Sequence, residues 1–259
     1  MTDIKHKKHY AVIDLVRGFA ILLMFIYHFS YDLDYFGFIQ TNFASGKFWI
    51  NFRILIVTLF LTVMGISLYL ASYQTLNKKR FAHRLLLLIV YSLLVSISSW
   101  VMFPKAMILF GILHFIAVAS VLGLLFVQLS KCNLGKRNSG KINLGILNLM
   151  LGLIIIVMGQ TLEYPVFNQP FLQWIGMMTK LPVTVDYVPI FPWFGIVLIG
   201  IYLGQLIAQR PADAFLLNWT SHHPLTKLMT LGGRHSLHIY MLHQPLFMGI
   251  LYIISLIAG

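Results

Sequence analysis

Acidic residues are scarce in this chain: 7 Asp and Glu stand against 19 Lys and Arg, and charged residues of both signs fill only 10% of its 259 positions. A soluble domain of that length carries about 25% charged residues, so water is not the solvent for most of this surface. Cysteine occurs once, at Cys132, which excludes an intramolecular disulfide. Neither a Gly-x-Ser-x-Gly elbow nor a phosphate-binding glycine loop nor a nucleotide fingerprint is present, so the common soluble-enzyme signatures are missing. No metal site is expected: His235 and His238 stand at i,i+3 without further ligands, and the His222–His223 pair lacks Cys or carboxylate partners at useful spacing. Internal repeats are also absent, and with them the paired broken helices of inverted-repeat transporters.

What is abundant is hydrocarbon. Hydrophobic residues make up 59% of the chain, and the mean hydropathy is +0.82. Apolar runs of membrane-spanning length fall at 11–31, 50–72, 84–103, 107–129, 144–160, 188–209 and 235–258, each bounded by charge, Pro, Asn or Gly, the fifth being the shortest. Backbone groups cannot stay unpaired in lipid, and the runs lack the alternation of barrel strands, so helices are expected. The expected fold is an all-α, polytopic transmembrane helix bundle of about seven spans, a single domain that uses up residues 1–259. The opening MTDIKHKKHY and the apolar stretch behind it have the order of a signal peptide, but the stretch is too long, contains Asp14 and Arg17, and has no small-residue cleavage site after it. It reads as a retained first helix.

In a soluble protein a net charge of +12 would suggest nucleic acid. Here the basic residues sit in short loops between apolar runs, which points to a lipid bilayer with anionic headgroups as the partner and to no nucleic acid. With the connections taken alternately, one side receives Lys5, Lys7, Lys8, Lys78, Lys79, Arg80, Arg84, Lys131, Lys136, Arg137, Lys141, Arg210, Lys227 and Arg234, and the other only Lys47, Arg53, Lys105 and Lys180. The positive-inside rule then sets the N-terminus in the cytoplasm and the C-terminus outside a multi-pass protein of the cell membrane. The longest outer connection, residues 161–187, is rich in aromatics and lies on the interface or covers a site.

Ionisable groups inside spans are costly and by default face the bundle interior or a wet cavity. The first helix carries Asp14, Arg17, His28 and Asp32. At about 100° per residue, Arg17 falls about 60°, His28 about 40° and Asp32 about 0° from Asp14, so all four share one face. The rise from Asp14 to Asp32 is about 27 Å, close to the hydrocarbon thickness. Asp14 and Arg17 stand at i,i+3, and His28 and Asp32 at i,i+4, spacings at which side chains meet. The first pair reads as a structural ion pair at the headgroup boundary or as one mouth of a passage. The second reads as a general base with its orienting carboxylate or as an interfacial histidine solvated by headgroups.

In LGGRHSLHIYMLHQP, Ser236, Tyr240 and His243 fall within about 60° of one another, whereas His238 points to the opposite face, which favours His243 as the inward histidine. Arg234 and His235 sit at the cytoplasmic mouth, where they can meet phosphate or lipid headgroups. His114, in ILFGILHFIAVAS, is flanked by Gly111 and small residues that suit close helix packing. Asp186 precedes a span broken by Pro189 and Pro192.

The segments IDLVRGFAILLMFIYHFSYDLDYFG, FLTVMGISLYLAS, ILFGILHFIAVAS, DYVPIFPWFGIVLIG and LGGRHSLHIYMLHQP, in this order, resemble the bacterial branch of the heparan-α-glucosaminide N-acetyltransferase catalytic-domain family, a likeness that touches nearly every span from residue 12 to 247. The Asp-Leu-x-Arg-Gly opening is shared with other membrane acyltransferases. The resemblance implies acetyl transfer across the membrane, with acetyl-CoA taken from the cytoplasm and a sugar amine acetylated on the far side with the help of a histidine. In the animal enzyme's pattern that histidine lies in the loop after the first span. The matching stretch here, FIQTNFASGKFWINF, has none, and His28 is the nearest candidate.

The expectation is a membrane acyltransferase that moves an acetyl or similar acyl group from CoA to an extracytoplasmic amine or hydroxyl. His28, oriented by Asp32, takes the proton; His114 and His243 polarise the thioester carbonyl or bind the acceptor. Arg17 and Arg234, with Asp14 beside them, form the rim that meets the CoA phosphates. Two rivals use the same residues: a small-molecule transporter with the stripe as its pathway, and a non-catalytic membrane subunit whose polar groups serve assembly. The sequence leaves the acceptor and a homo-oligomer open.

Overall fold

The computed structural model describes residues 10–43, 45–73, 76–131, 144–210, 219 and 221–258. Lys5, Lys7 and Lys8, together with Cys132, Lys136, Arg137 and Lys141 of the basic loop, lie outside the described residues. Among the described residues there is no strand, and the helices are α1 Ala11–Tyr35, α2 Lys47–Ser72, α3 Lys78–Met102, α4 Ile112–Lys131, α5 Leu144–Thr161, α6 Ile190–Ala208, α7 Pro224–Arg234 and α8 Ser236–Ala258. Six of these, α1 to α4, α6 and α8, are long and apolar enough to cross a bilayer, and α5 is apolar but shorter. The protein is an all-helical, multi-pass membrane protein.

Helix boundaries follow caps rather than hydropathy. α3 begins at Lys78, ahead of its apolar run, because the Asn77 side chain accepts the Arg80 N–H at 3.0 Å and satisfies one of the orphan donors of the first turn. α4 begins only at Ile112, after a 3-10 turn at Pro104–Ala106, where Asp186 Oδ2 accepts the Ile112 N–H at 2.8 Å. The short α7 falls inside what the charge pattern reads as a basic loop.

The chain divides into two compact units, one of Met1–Phe60 with Arg210–Gly259 and one of Leu61–Gln209, and passes from the first to the second inside α2. In the first unit, α1 packs on α7 and α8. Gly18 of α1 lies against the Met229 carbonyl of α7, and Gly233 of α7 against the Asp14 carbonyl of α1, so a side chain at either position would collide with backbone. Higher along α1, the buried Ile21, Met24 and Ile56 gather Phe52, Phe60, Ile239 and Tyr240 around them.

In the second unit, α6 is the axial helix: Val197, Leu198 and Ile201 are wholly enclosed. Gly152 of α5 and Gly195 of α6 bring those two backbones together, as Gly65 of α2 and Gly200 of α6 do on another side. Lipid tails are as apolar as leucine, so helices gain little by merely hiding hydrocarbon from lipid, and close van der Waals contact through small residues drives their association instead. Asn148 Nδ2 of α5 also donates to Ser130 Oγ of α4 at 2.7 Å, both side chains being buried.

Candidate active site

Two polar clusters form within the first unit. The lower one joins α1 to α7. Arg17 Nη1 donates to Asp14 Oδ1 at 3.0 Å and to the Gly233 carbonyl at 3.2 Å, while Arg234 Nε stands 3.4 Å from Asp14 Oδ2. Asp14 is buried and Arg234 half exposed. The i,i+3 spacing of Asp14 and Arg17 thus becomes a real pair. The Gly233 contact that lets α7 approach α1 also brings Arg234 to the same carboxylate.

The upper cluster joins α1 to α8. His28 and His243 meet ring to ring, with centroids 4.9 Å apart, and His243 stacks on Phe25 at 5.7 Å and meets Phe247 at 5.9 Å. His243 is buried and His238 exposed, as their positions on α8 require. His243 Nδ1 lies 2.6 Å from the Tyr240 carbonyl oxygen. A carbonyl can only accept, so Nδ1 carries the proton and Nε2 of the neutral ring presents its lone pair.

The carboxylate of Asp32 departs from what its spacing predicts. Rather than meeting His28 one turn away, Asp32 Oδ1 accepts from Gln244 Nε2 at 2.7 Å. Gln244 is a residue that sequence reasoning passed over. Its signal was an amide within an apolar helix, between His243 and the intrahelical Pro245. Asp32 is fully buried, and among the described residues no Lys or Arg pairs with it. Three buried atoms here have no hydrogen-bond partner among the described residues: Asp32 Oδ2, Gln244 Oε1 and His243 Nε2. Each is an acceptor.

His114 belongs to the second unit, where both ring nitrogens are engaged: Nδ1 accepts the Gly111 N–H at 3.3 Å, and Nε2 meets Ser96 Oγ at 3.1 Å. Ser96 Oγ donates in turn to the Ile108 carbonyl at 2.7 Å, so this histidine ties α4 to α3. In the same unit, Tyr187 donates to the Gln173 carbonyl at 2.7 Å, and burial pushes its phenol up to about 12. Among the described residues no group of three or more His, Cys, Asp or Glu is gathered as a metal site.

The family model described as "Heparan-alpha-glucosaminide N-acetyltransferase, catalytic" matches residues 9–245. The chain belongs to this family. The match runs from the approach to α1 to Pro245, so it contains every polar member of both clusters. Membership of the heparan-alpha-glucosaminide N-acetyltransferase catalytic family indicates a membrane acetyltransferase, and acetyl-CoA is the donor that such membership implies. No curated protein and no solved structure matches the chain.

Proposed function

We propose that this protein, acting as one domain in the cell membrane, transfers an acetyl group from cytoplasmic acetyl-CoA to an amine-bearing acceptor, a sugar amine foremost, on the outer side. The observation that carries the acceptor class is the set of three buried, unpartnered acceptors, Asp32 Oδ2, Gln244 Oε1 and His243 Nε2. Each unmet buried polar group costs about 1–3 kcal/mol. A primary ammonium brings three N–H donors and a positive charge to the buried carboxylate, whereas a hydroxyl brings one donor and no charge.

In this reading Asp32 takes one proton from the ammonium and frees the nitrogen lone pair. The nitrogen attacks the thioester carbonyl and the C–N bond forms as His243 Nε2 removes a second proton. The C–S bond then breaks, and the proton on His243 passes to the departing thiolate. His28, in ring contact with His243, supports the developing negative charge on the thioester oxygen. Arg234, half exposed beside Asp14, and Arg17 suit the CoA phosphates. His114, with both nitrogens occupied, is assigned a structural part. The side from which the donor arrives follows from the Lys and Arg asymmetry, which favours an N-terminus inside and a C-terminus outside.

The test is thiol release from acetyl-CoA by purified protein in vesicles, with glucosamine or an amine-free sugar supplied as acceptor. Amine-dependent release is expected. His243→Ala should lower it about 10²–10⁴-fold, the usual worth of a general base, and His238→Ala should leave it nearly unchanged. Folded protein that consumes no acetyl-CoA with either sugar ends the enzyme reading, and release with the amine-free sugar alone overturns the amine assignment.

A further inference from the structure

The second unit holds a cavity of about 350 Å³ between the turn that follows α3 and the connection that leads into α6. Its walls are mostly apolar and aromatic, with Leu109, Phe110, Phe171, Trp174 and Tyr187 among them, and no charged side chain among the described residues lines it. The polar side chains in the wall are already engaged. Tyr187 donates to the Gln173 carbonyl at 2.7 Å, Thr184 Oγ1 to the Asp186 carbonyl at 3.2 Å, and Gln173 Nε2 to the Asn168 carbonyl at 3.3 Å. A polar ligand would surrender its hydration here for little in return. A hydrocarbon ligand loses nothing and gains dispersion contacts along the whole wall.

The mouth makes the same choice. Of the lining residues, Phe171 is 70% exposed and Val183 78%, and Leu181 on the same connection is 81% exposed. Large apolar side chains crowded on one connection are stable against lipid and a liability against water. The connection is also held in shape rather than left loose: Tyr164 N–H donates to the Met177 carbonyl at 2.8 Å, Ile190 N–H to the Trp174 carbonyl at 2.9 Å, and Asn168 Nδ2 to Thr179 Oγ1 at 2.7 Å. A preformed site spends less of its binding energy on ordering. The volume lies at the small end for ligand pockets, which suits part of one chain better than a headgroup with its tails.

We propose that this cavity binds one hydrocarbon chain taken from the membrane, either a phospholipid acyl chain or the polyisoprenyl tail of a lipid-borne substrate. The proposal does not rest on acetyl transfer and stands or falls without it.

The experiment uses the full chain in dodecyl maltoside micelles, titrated with phosphatidylcholine carrying a diazirine in its acyl chain or, in a second arm, with a diazirine-bearing polyprenyl phosphate. After photolysis, labelled peptides are mapped by mass spectrometry. Labelling of 107–110 and 170–187 is expected to saturate, to fall several-fold on adding the matching unlabelled lipid, and to fall likewise in Thr184→Trp and in Leu109→Trp, which fill the cavity from two walls. Label on the exposed α3 positions Leu93 and Ile97 should rise linearly and ignore both variants. Saturation in the first arm names the bilayer as the source of the chain; saturation in the second alone names a lipid-borne tail. Labelling of the cavity segments that parallels Leu93 and Ile97 in both arms, or that survives both folded variants, overturns the proposal.

Discussion

Replacing Asp32 by Asn should make the protein more stable and less active at once. The side chain is fully buried in α1, receives one hydrogen bond on Oδ1 from Gln244 at 2.7 Å, and has none on Oδ2 among the described residues. An ionised carboxylate in that position carries an effective desolvation cost of several kcal/mol. Asparagine keeps the shape and the Oδ1 acceptor, so the bond from Gln244 persists as a neutral one, weaker by roughly 1 kcal/mol. The difference leaves a net stabilisation of about 1–3 kcal/mol. Acyl transfer moves the other way, with a loss of about 10²–10⁴-fold if the carboxylate accepts a proton. Gln244→Ala should have the opposite signature for stability, losing about 1.5–3 kcal/mol because it strips the buried charge of its donor. Stability is read from SDS unfolding in mixed micelles followed by tryptophan fluorescence, and activity from thiol release. If Asp32→Asn weakens the fold and keeps full activity, the carboxylate serves only to hold Gln244, and the catalytic reasoning fails.

Other expectations are simpler to state. Gly18→Val forces a side chain into the Met229 carbonyl and should cost about 1–3 kcal/mol in the same unfolding assay, whereas Gly249→Ala, which meets nothing, should cost little; equal effects would contradict the close α1–α7 contact. Asn148→Ala removes the buried bond to Ser130 and should destabilise by about 0.6–1.7 kcal/mol, with no further loss when Ser130→Ala is added. Reporter fusions at Asn138 and Gly259 should signal from opposite faces of the membrane, and signals from one face would refute the alternation of Lys and Arg as a guide to orientation.

The spans are legible in the sequence because hydropathy integrates over about 20 residues, and even α5, the shortest, stands out as an apolar block. Their ends are less legible, since a cap is a single polar contact: Asn77 starts α3 locally, but the Asp186 bond that starts α4 comes from a residue 74 positions away. α7 hides for a related reason. Its Lys227, Arg234 and paired glycines read as loop, and only packing on α1 gives its apolar face a purpose. Within the site, whatever depends on one helix is readable, including the Asp14–Arg17 pair and the choice of His243 over His238. The partner of Asp32 is not, because helix geometry nominates His28 and Gln244, 212 residues along, takes the bond.

The first unit is discontinuous, and this bears on how the protein is made. α1 leaves the ribosome ahead of the rest of the bundle, yet the groups that satisfy its buried charges, the Gly233 carbonyl, Arg234 and the Gln244 amide, are translated only after the whole of α2 to α6. During most of synthesis α1 therefore waits in or beside the translocon with Asp32 lacking its one donor, a condition that favours holding by the insertion machinery over early release into lipid. Docking of α7 and α8 then becomes the step that lets α1 go, and nascent chains stalled before Pro224 should remain bound to insertase or be degraded, while their second unit is already assembled.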